Sequence, residues 1–150
     1  MDKNRMIISL FEGLDRSLDE LDIVQYSVPE QVVIMIFWLE LEVNNGGFDQ
    51  FYFNSAGVFA NRCPQALRTI GAFRTALIVE RANSYFPNGH PPEDREQRQC
   101  CLEEIVDNQG KDFDELDDQF YAYEDNLTDL LYDYIVRHKS SIAGATELGF

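Results

Sequence analysis

Ser27-Val28-Pro29-Glu30-Gln31-Val32-Val33-Ile34-Met35-Ile36-Phe37-Trp38-Leu39-Glu40-Leu41-Glu42-Val43-Asn44-Asn45-Gly46-Gly47 is the stretch that decides the fold of this 150-residue chain. Its first four residues spell a capping box. Ser27 is placed to accept from the amide of Glu30, Glu30 to reach back to the amide of Ser27, and Pro29 suits the first turn, where its missing N–H is no loss. A helix is therefore predicted over about 28–43. Residues 32–39 are apolar on every face, so this helix has no side to turn to water and must be the buried centre of the molecule. Asn44-Asn45-Gly46-Gly47 supplies the left-handed conformations that end it.

Working outward, the 3.6-residue period persists. Upstream, Ile7, Leu10, Leu14, Leu18 and Leu21 make one apolar stripe, with Asp15, Asp19, Glu20 and Asp22 on other faces. Downstream, Phe48, Phe51 and Tyr52 share a face of a short helix that ends at Ala56-Gly57. Residues 64–73 and 75–86 read as two helices broken near Gly71. The breakers Pro87-Asn88-Gly89-His90-Pro91-Pro92 form a loop. Further helices are predicted at about 93–108, 113–123 and 125–139, and residues 140–150 read as a flexible tail. No convincing alternating strand and no internal repeat interrupts the pattern. The expectation is one all-α domain spanning 1–150, a multi-helix bundle around the 28–43 helix.

Composition supports a folded chain. Hydrophobic residues make up 45% and aromatic residues 13%, too apolar for an acidic disordered segment. No apolar leader precedes a cleavage site, and the apolar run 32–39 is too short to span a bilayer. Three cysteines, two of them the adjacent Cys100 and Cys101, lack the spacing of a disulfide framework. These features point to the cytoplasm, without a membrane.

The net charge is −15, and it is concentrated. Fifteen of the 27 acidic residues lie between 93 and 133, opposed only by Arg95, Arg98 and Lys111. Such a field opposes direct binding to nucleic acid and favours basic proteins or cations. Asp125, Asp129 and Asp133 fall one helical turn apart in a row continued by Arg137, opposite Leu127, Leu131, Tyr134 and Ile135. Asp114, Asp117 and Asp118 share a face opposite Phe113, Leu116 and Phe120. Carboxylates one turn apart are about 5–6 Å from each other, the scale of phosphate spacing along a nucleic-acid strand, and mutual repulsion makes such rows a poor stabilising device. Two readings stay open: a solvated face that keeps the protein dispersed, or a surface that offers basic side chains a partner. Glu103, Glu104 and Asp107 would extend that surface, with Tyr121 and Tyr132 as aromatic anchors.

The end of the central helix runs from Glu42 through Val43-Asn44-Asn45-Gly46-Gly47-Phe48-Asp49-Gln50-Phe51 to Asn54-Ser55-Ala56-Gly57. Its rings bury area while its amides satisfy backbone groups at the turn. The competing reading gathers Glu42, Asn45, Asp49, Gln50 and Asn54 round a polar pocket. This motif resembles the signature of the nineteen-kilodalton DNA-mimic protein family, as do Leu116-Asp117-Asp118-Gln119-Phe120-Tyr121 and Tyr134-Ile135-Val136-Arg137. The resemblance covers about 25–139. It implies an all-α fold, a dimer and no catalytic activity. The family takes its name from a member whose acidic surface imitates double-stranded DNA and occupies a transcription regulator.

Catalytic and cofactor motifs are absent from the sequence: no phosphate-binding glycine loop, nucleophile elbow or paired-histidine zinc motif. Asp112-Phe113-Asp114 starts like a calcium loop, but Leu116 and Asp117 stand where a ligand and a glycine are needed. His90, Glu93 and Asp94 are the nearest approach to a metal cluster, and no metal or cofactor is expected. Cys63, beside Arg62 and before Pro64, is either a thiolate at a helix start or a small core residue. The function expected is thus a non-enzymatic acidic module that occupies the basic surface of a DNA-binding protein, whether transcription regulator, nucleoid protein or nuclease. The alternative is an immunity protein that neutralises a basic toxin or nuclease. A small-molecule pocket near Asn45 and Gln50 is a third reading.

Overall fold

The computed structural model describes residues 2–14 and 22–150. Leu18, Leu21, Asp15, Asp19 and Glu20 of the predicted N-terminal stripe lie outside them. Seven α-helices are present among the described residues: α1 (Lys3–Leu14), α2 (Val28–Phe53), α3 (Cys63–Ile70), α4 (Phe73–Asn83), α5 (Arg95–Glu103), α6 (Asp114–Tyr121) and α7 (Leu127–His138). No strand occurs among those residues, and the fold is all-α as the periodicity predicts.

Helix α2 is the axis of the bundle. Ser27 Oγ accepts from the Glu30 amide at 3.2 Å and Glu30 Oε2 accepts from the Ser27 amide at 2.9 Å, the reciprocal pair expected of a capping box. Val33, Ile34, Ile36, Leu39 and Val43 are fully buried. Around them pack α1, α3, α5, α6 and α7. Helix α4 pairs with α3 and reaches α6. One contiguous core results, to which α1 adds Ile7, Leu10 and Leu14, and α7 adds Leu127, Leu131, Tyr134 and Ile135.

The predicted stop after Val43 is a sharp corner rather than an end. Gly47 sits at φ 73, ψ −175, a region essentially restricted to glycine, and the helix resumes at Phe48. A Cβ at Gly47 would also lie 2.5 Å from the Asp117 carboxylate. The resumed half carries Phe48, Phe51 and Tyr52 into the core, where Phe48 meets Phe120 edge-on at 5.8 Å.

Boundaries differ from expectation: the helices predicted over 64–73 and 75–86 are Cys63–Ile70 and Phe73–Asn83, and three further differences bear on the acidic segment. Helix α6 stops at Tyr121, because Tyr123 takes a left-handed conformation (φ 53). Helix α5 runs on as a single π-turn, Glu104–Asn108. Helix α7 starts at Leu127, capped by Asn126, so Asp125 lies ahead of the helix and the predicted row of Asp125, Asp129 and Asp133 is broken at its first member. The segment 140–150 also departs from the loose tail expected. Ile142, Ala145 and Phe150 are buried, the Ala143 amide donates to Glu30 Oε1 at 2.8 Å, and Lys139 Nζ donates to the Phe150 carbonyl at 2.9 Å.

Candidate functional site

A buried arginine fixes the geometry of the acidic side of the molecule. Arg98, on α5, is wholly inaccessible and forms no ion pair with a carboxylate among the described residues; it donates instead to four carbonyls. Nε reaches Tyr52 O at 2.7 Å, Nη2 reaches Asn54 O at 2.8 Å, and Nη1 reaches Pro92 O and Glu93 O at 3.1 and 2.9 Å. Tyr52 O lies in the last turn of α2 and Asn54 O at its C-cap, where helix carbonyls run out of intrahelical donors and carry the negative end of the dipole; Asn54 O also accepts from the Gly57 amide at 3.1 Å. Gly57 makes room: a Cβ there would be 2.4 Å from Nε. Arg98 thereby locks α5 against the end of α2, and burial lowers its pKa, with the nearby Arg95 charge acting in the same sense.

Between these two elements runs a groove of about 560 Å³. Asp49 on the α2 side faces Glu96, Glu103 and Asp107 on the α5 side, over a floor of Phe53, Leu102 and Val106. Asp49 also belongs to a second group. The Asp117 carboxyl is pushed up from the usual range, first by burial and further by the charges of Asp114, Asp118 and Asp49, while the bond from the Phe48 amide pulls it back. One residue thus joins the carboxylates of α5 to those of α6. No lysine or arginine forms an ion pair with any of these carboxylates among the described residues.

The structure divides the nine expected carboxylates. Glu103, Asp107, Asp114 and Asp118 are exposed; the first two line the groove with Asp49, and the last two, like Asp49, add their charge to the field at Asp117. Asp117, between them, is half-buried, and its Oδ1 accepts from the Phe48 amide at 2.8 Å, capping the resumed half of α2. Glu104 lies on the other side of α5 beside Tyr85 and Phe86. Asp125 accepts from the Thr75 amide at 2.8 Å and from its hydroxyl at 3.1 Å, at the start of α4. Asp129 pairs with Lys3 at 2.7 Å. Asp133 is exposed on the same helix and contributes to the field that raises the Lys3 pKa, in which the hydrogen bond to Asp129 is the largest influence.

The aromatic anchors divide likewise. Tyr121 is 46% exposed beside the α6 carboxylates, held by a 2.8 Å bond from its hydroxyl to Val43 O. Tyr132 is covered by Phe150, at 5.3 Å between rings, and by the Lys3 ammonium, 5.0 Å from its centroid.

At the corner, Glu42 is only 8% exposed and accepts from Gln50 Nε2 at 2.8 Å and Asn54 Nδ2 at 3.0 Å, while Asn45 Nδ2 donates to Gln50 Oε1 at 3.3 Å. Asn44 is exposed at the helix stop, and Gly46 brings its backbone against Gln50. These amides spend their hydrogen bonds on one another and on Glu42, whereas Asp49 alone of the corner residues points into the acidic groove. Cys63 is buried and its thiol is pushed up to about 12, the opposite of an activated thiolate. Among the described residues no three His, Cys, Asp or Glu side chains are placed to share a metal ion, and no helix is long and apolar enough to cross a membrane.

Two members of the acidic face were missed by sequence reasoning. Glu96 lies two turns before Glu103, so the Glu96, Glu103, Asp107 spacing already marks one helical face. The joining role of Asp49 depends on the corner and had no local signal.

Fold and surface together define an acidic all-α protein, with exposed carboxylates on α5 and α6 that form no ion pair among the described residues. The family model described as DMP19-like protein matches residues 24–138, and the chain belongs to that family. This agrees with the DNA-mimic resemblance carried by the corner motif. No curated protein and no solved structure matches the chain.

Proposed function

We propose that this protein is an acidic binding module that occupies the basic, nucleic-acid-binding surface of a DNA-binding protein. The observation that carries the reading is a set of exposed carboxylates, Glu96, Glu103, Asp107 and Asp49 along the groove and Asp114 and Asp118 on α6, none of which forms an ion pair among the described residues. A DNA-binding protein gains much of its affinity from lysines and arginines meeting phosphates with release of counterions. Carboxylates fixed on a rigid scaffold offer those cations the same charge. Base edges have no counterpart here, so selectivity falls to shape and to apolar contacts, which Phe53 and Tyr121 supply. Phe53 is 52% exposed on the groove floor. Family membership supports the same reading.

The test is affinity capture from native lysate with the wild-type protein and with the E103Q/D107N/D114N/D118N variant. A captured protein is then challenged with duplex DNA and with rising salt. The expected result is a DNA-binding protein that duplex DNA displaces, that salt releases steeply, and that the variant fails to hold. Retention by the variant, or indifference to DNA and salt, overturns the proposal. A captured nuclease or toxin whose activity is suppressed would assign the same face to neutralisation.

A further inference from the structure

On another side of the molecule, α1, α2 and α7 enclose a cleft of about 410 Å³, within the range of about 300–1,000 Å³ typical of small-molecule sites. Ile7, Ile8, Leu41 and Leu131 form apolar walls. At its base is Glu40, half-buried on α2, and Asn44 and Asn45 line the same cleft one turn further along. No ion pair to Glu40 is formed among the described residues. Among the described residues its one side-chain hydrogen-bond partner is the Tyr123 hydroxyl, 3.2 Å from Oε1.

That hydroxyl is itself held in place. It accepts from the Thr128 amide at 2.9 Å and lies 2.9 Å from Thr128 Oγ1. Tyr123 reaches this position only by taking a left-handed backbone (φ 53), which a bulky residue rarely adopts. Backbone strain is thus retained where it orients a carboxylate that has no ion pair among the described residues. Burial pushes the Glu40 carboxyl up, and the Tyr123 bond offsets this in part; a cation in the cleft would favour the carboxylate.

We propose that this cleft binds an organic cation, an ammonium or guanidinium group carried on an apolar body, with Glu40 as counter-ion and the α1, α2 and α7 side chains enclosing the body. Asn44 and Asn45 offer side-chain carbonyls to the remaining N–H groups. The cation has two sources, a free small amine or a lysine or arginine side chain of another protein. This site shares no carboxylate with the acidic groove, so either assignment can fail without the other.

Isothermal titration at 150 mM NaCl tests the proposal, using 2-phenylethylammonium, its neutral counterpart 2-phenylethanol, and a short uncharged peptide bearing one lysine. The expected result is saturable binding of 2-phenylethylammonium at one site, with 2-phenylethanol at least tenfold weaker. E40Q should lose at least tenfold. L41R, at an exposed rim position, should abolish binding by filling the cleft with its own cation, and an unchanged melting temperature of L41R checks the fold. D114N/D118N should bind as the wild type does. Tighter binding of the peptide than of the amine assigns the cation to a protein partner. Absence of saturable binding to the wild type, equal binding by E40Q, or an equal loss in D114N/D118N overturns the proposal, the last because the general field would then explain all of it.

Discussion

Helix α6 and the segment that enters α7 each carry three aspartates, yet the two triplets meet different neighbours. Asp114 and Asp118 are exposed, and among the described residues only the Asp117 carboxylate between them accepts from backbone. On the other side, Asp125 is taken by Thr75 and Asp129 by Lys3, while Asp133 acts on Lys3 only through its charge and forms no ion pair among the described residues. Helical spacing determines which carboxylates share a face, but not what that face meets. A carboxylate that caps a distant helix is part of the scaffold; one with no partner is available to a ligand. The acidic groove and α6 therefore differ from α7 in kind, though their sequences look alike.

The largest expected effect comes from breaking what holds the acidic side together. Arg98→Ala removes the donor to four carbonyls and leaves a buried space, with an expected cost of about 3–5 kcal/mol. Arg98→Lys should recover only part, because one ammonium cannot reach carbonyls on both α2 and the 92–93 segment. Urea denaturation gives both values. A cost within about 0.5 kcal/mol for R98A would mean that α5 is held by its apolar contacts alone.

Next come the two capping aspartates. Asp117→Ala and Asp125→Ala each strip a backbone amide of its acceptor and should cost about 1–2 kcal/mol. Asp118→Asn and Asp133→Asn should stay within about 0.5 kcal/mol, as surface changes do. Asp117→Asn keeps an oxygen for the Phe48 amide and should fall between. Equal stability across all five variants would erase the distinction between scaffold and free carboxylates.

Much of the scaffold was legible because its signals are local. Ser27 and Glu30 are three residues apart, and Gly46-Gly47 breaks a helix whatever lies around it. The uses of Asp117 and Asp125 were not legible, since their amides are 69 and 50 residues away in the chain. Arg98 reads as one more surface charge in an acidic helix until the end of α2 is brought against it. Residues 140–150 lack a helical period, so their docking through Ile142 and Phe150 left no trace in the pattern. Of the candidate site, sequence spacing yields the faces of α5 and α6, while their meeting at Asp49 depends on the corner.

A smaller effect sharpens the comparison through pH. Asp117 and Glu40 both have carboxyls raised by burial. The folded protein therefore holds these protons more tightly than the unfolded chain does. Stability from this source is fully present below the ordinary carboxyl range and is lost as pH rises through the raised values. Urea midpoints should increase as pH falls from neutrality toward that window, and D117N should flatten the increase. A midpoint that falls steadily over the same interval would sink the assignment.

The smallest effect concerns Lys3 and Asp129, whose side chains are 43% and 51% exposed. Water and salt screen such a pair, and two flexible side chains must be ordered to form it. Yet Lys3 is also the cation through which α1 offsets the α7 acid, near Asp129, Asp133 and the ring of Tyr132. Lys3→Gln should hardly move the urea midpoint in 0.5 M NaCl and should lower it measurably only at low salt. Its more telling consequence is electrostatic. With Lys3 gone, α7 becomes a second unneutralised face, and capture of a basic partner should gain a salt-sensitive component that D129N/D133N removes. If K3Q changes neither stability at low salt nor capture, the contrast between the two acidic regions rests on Asp125 alone, and α7 must then be counted with α6 as a surface open to cations.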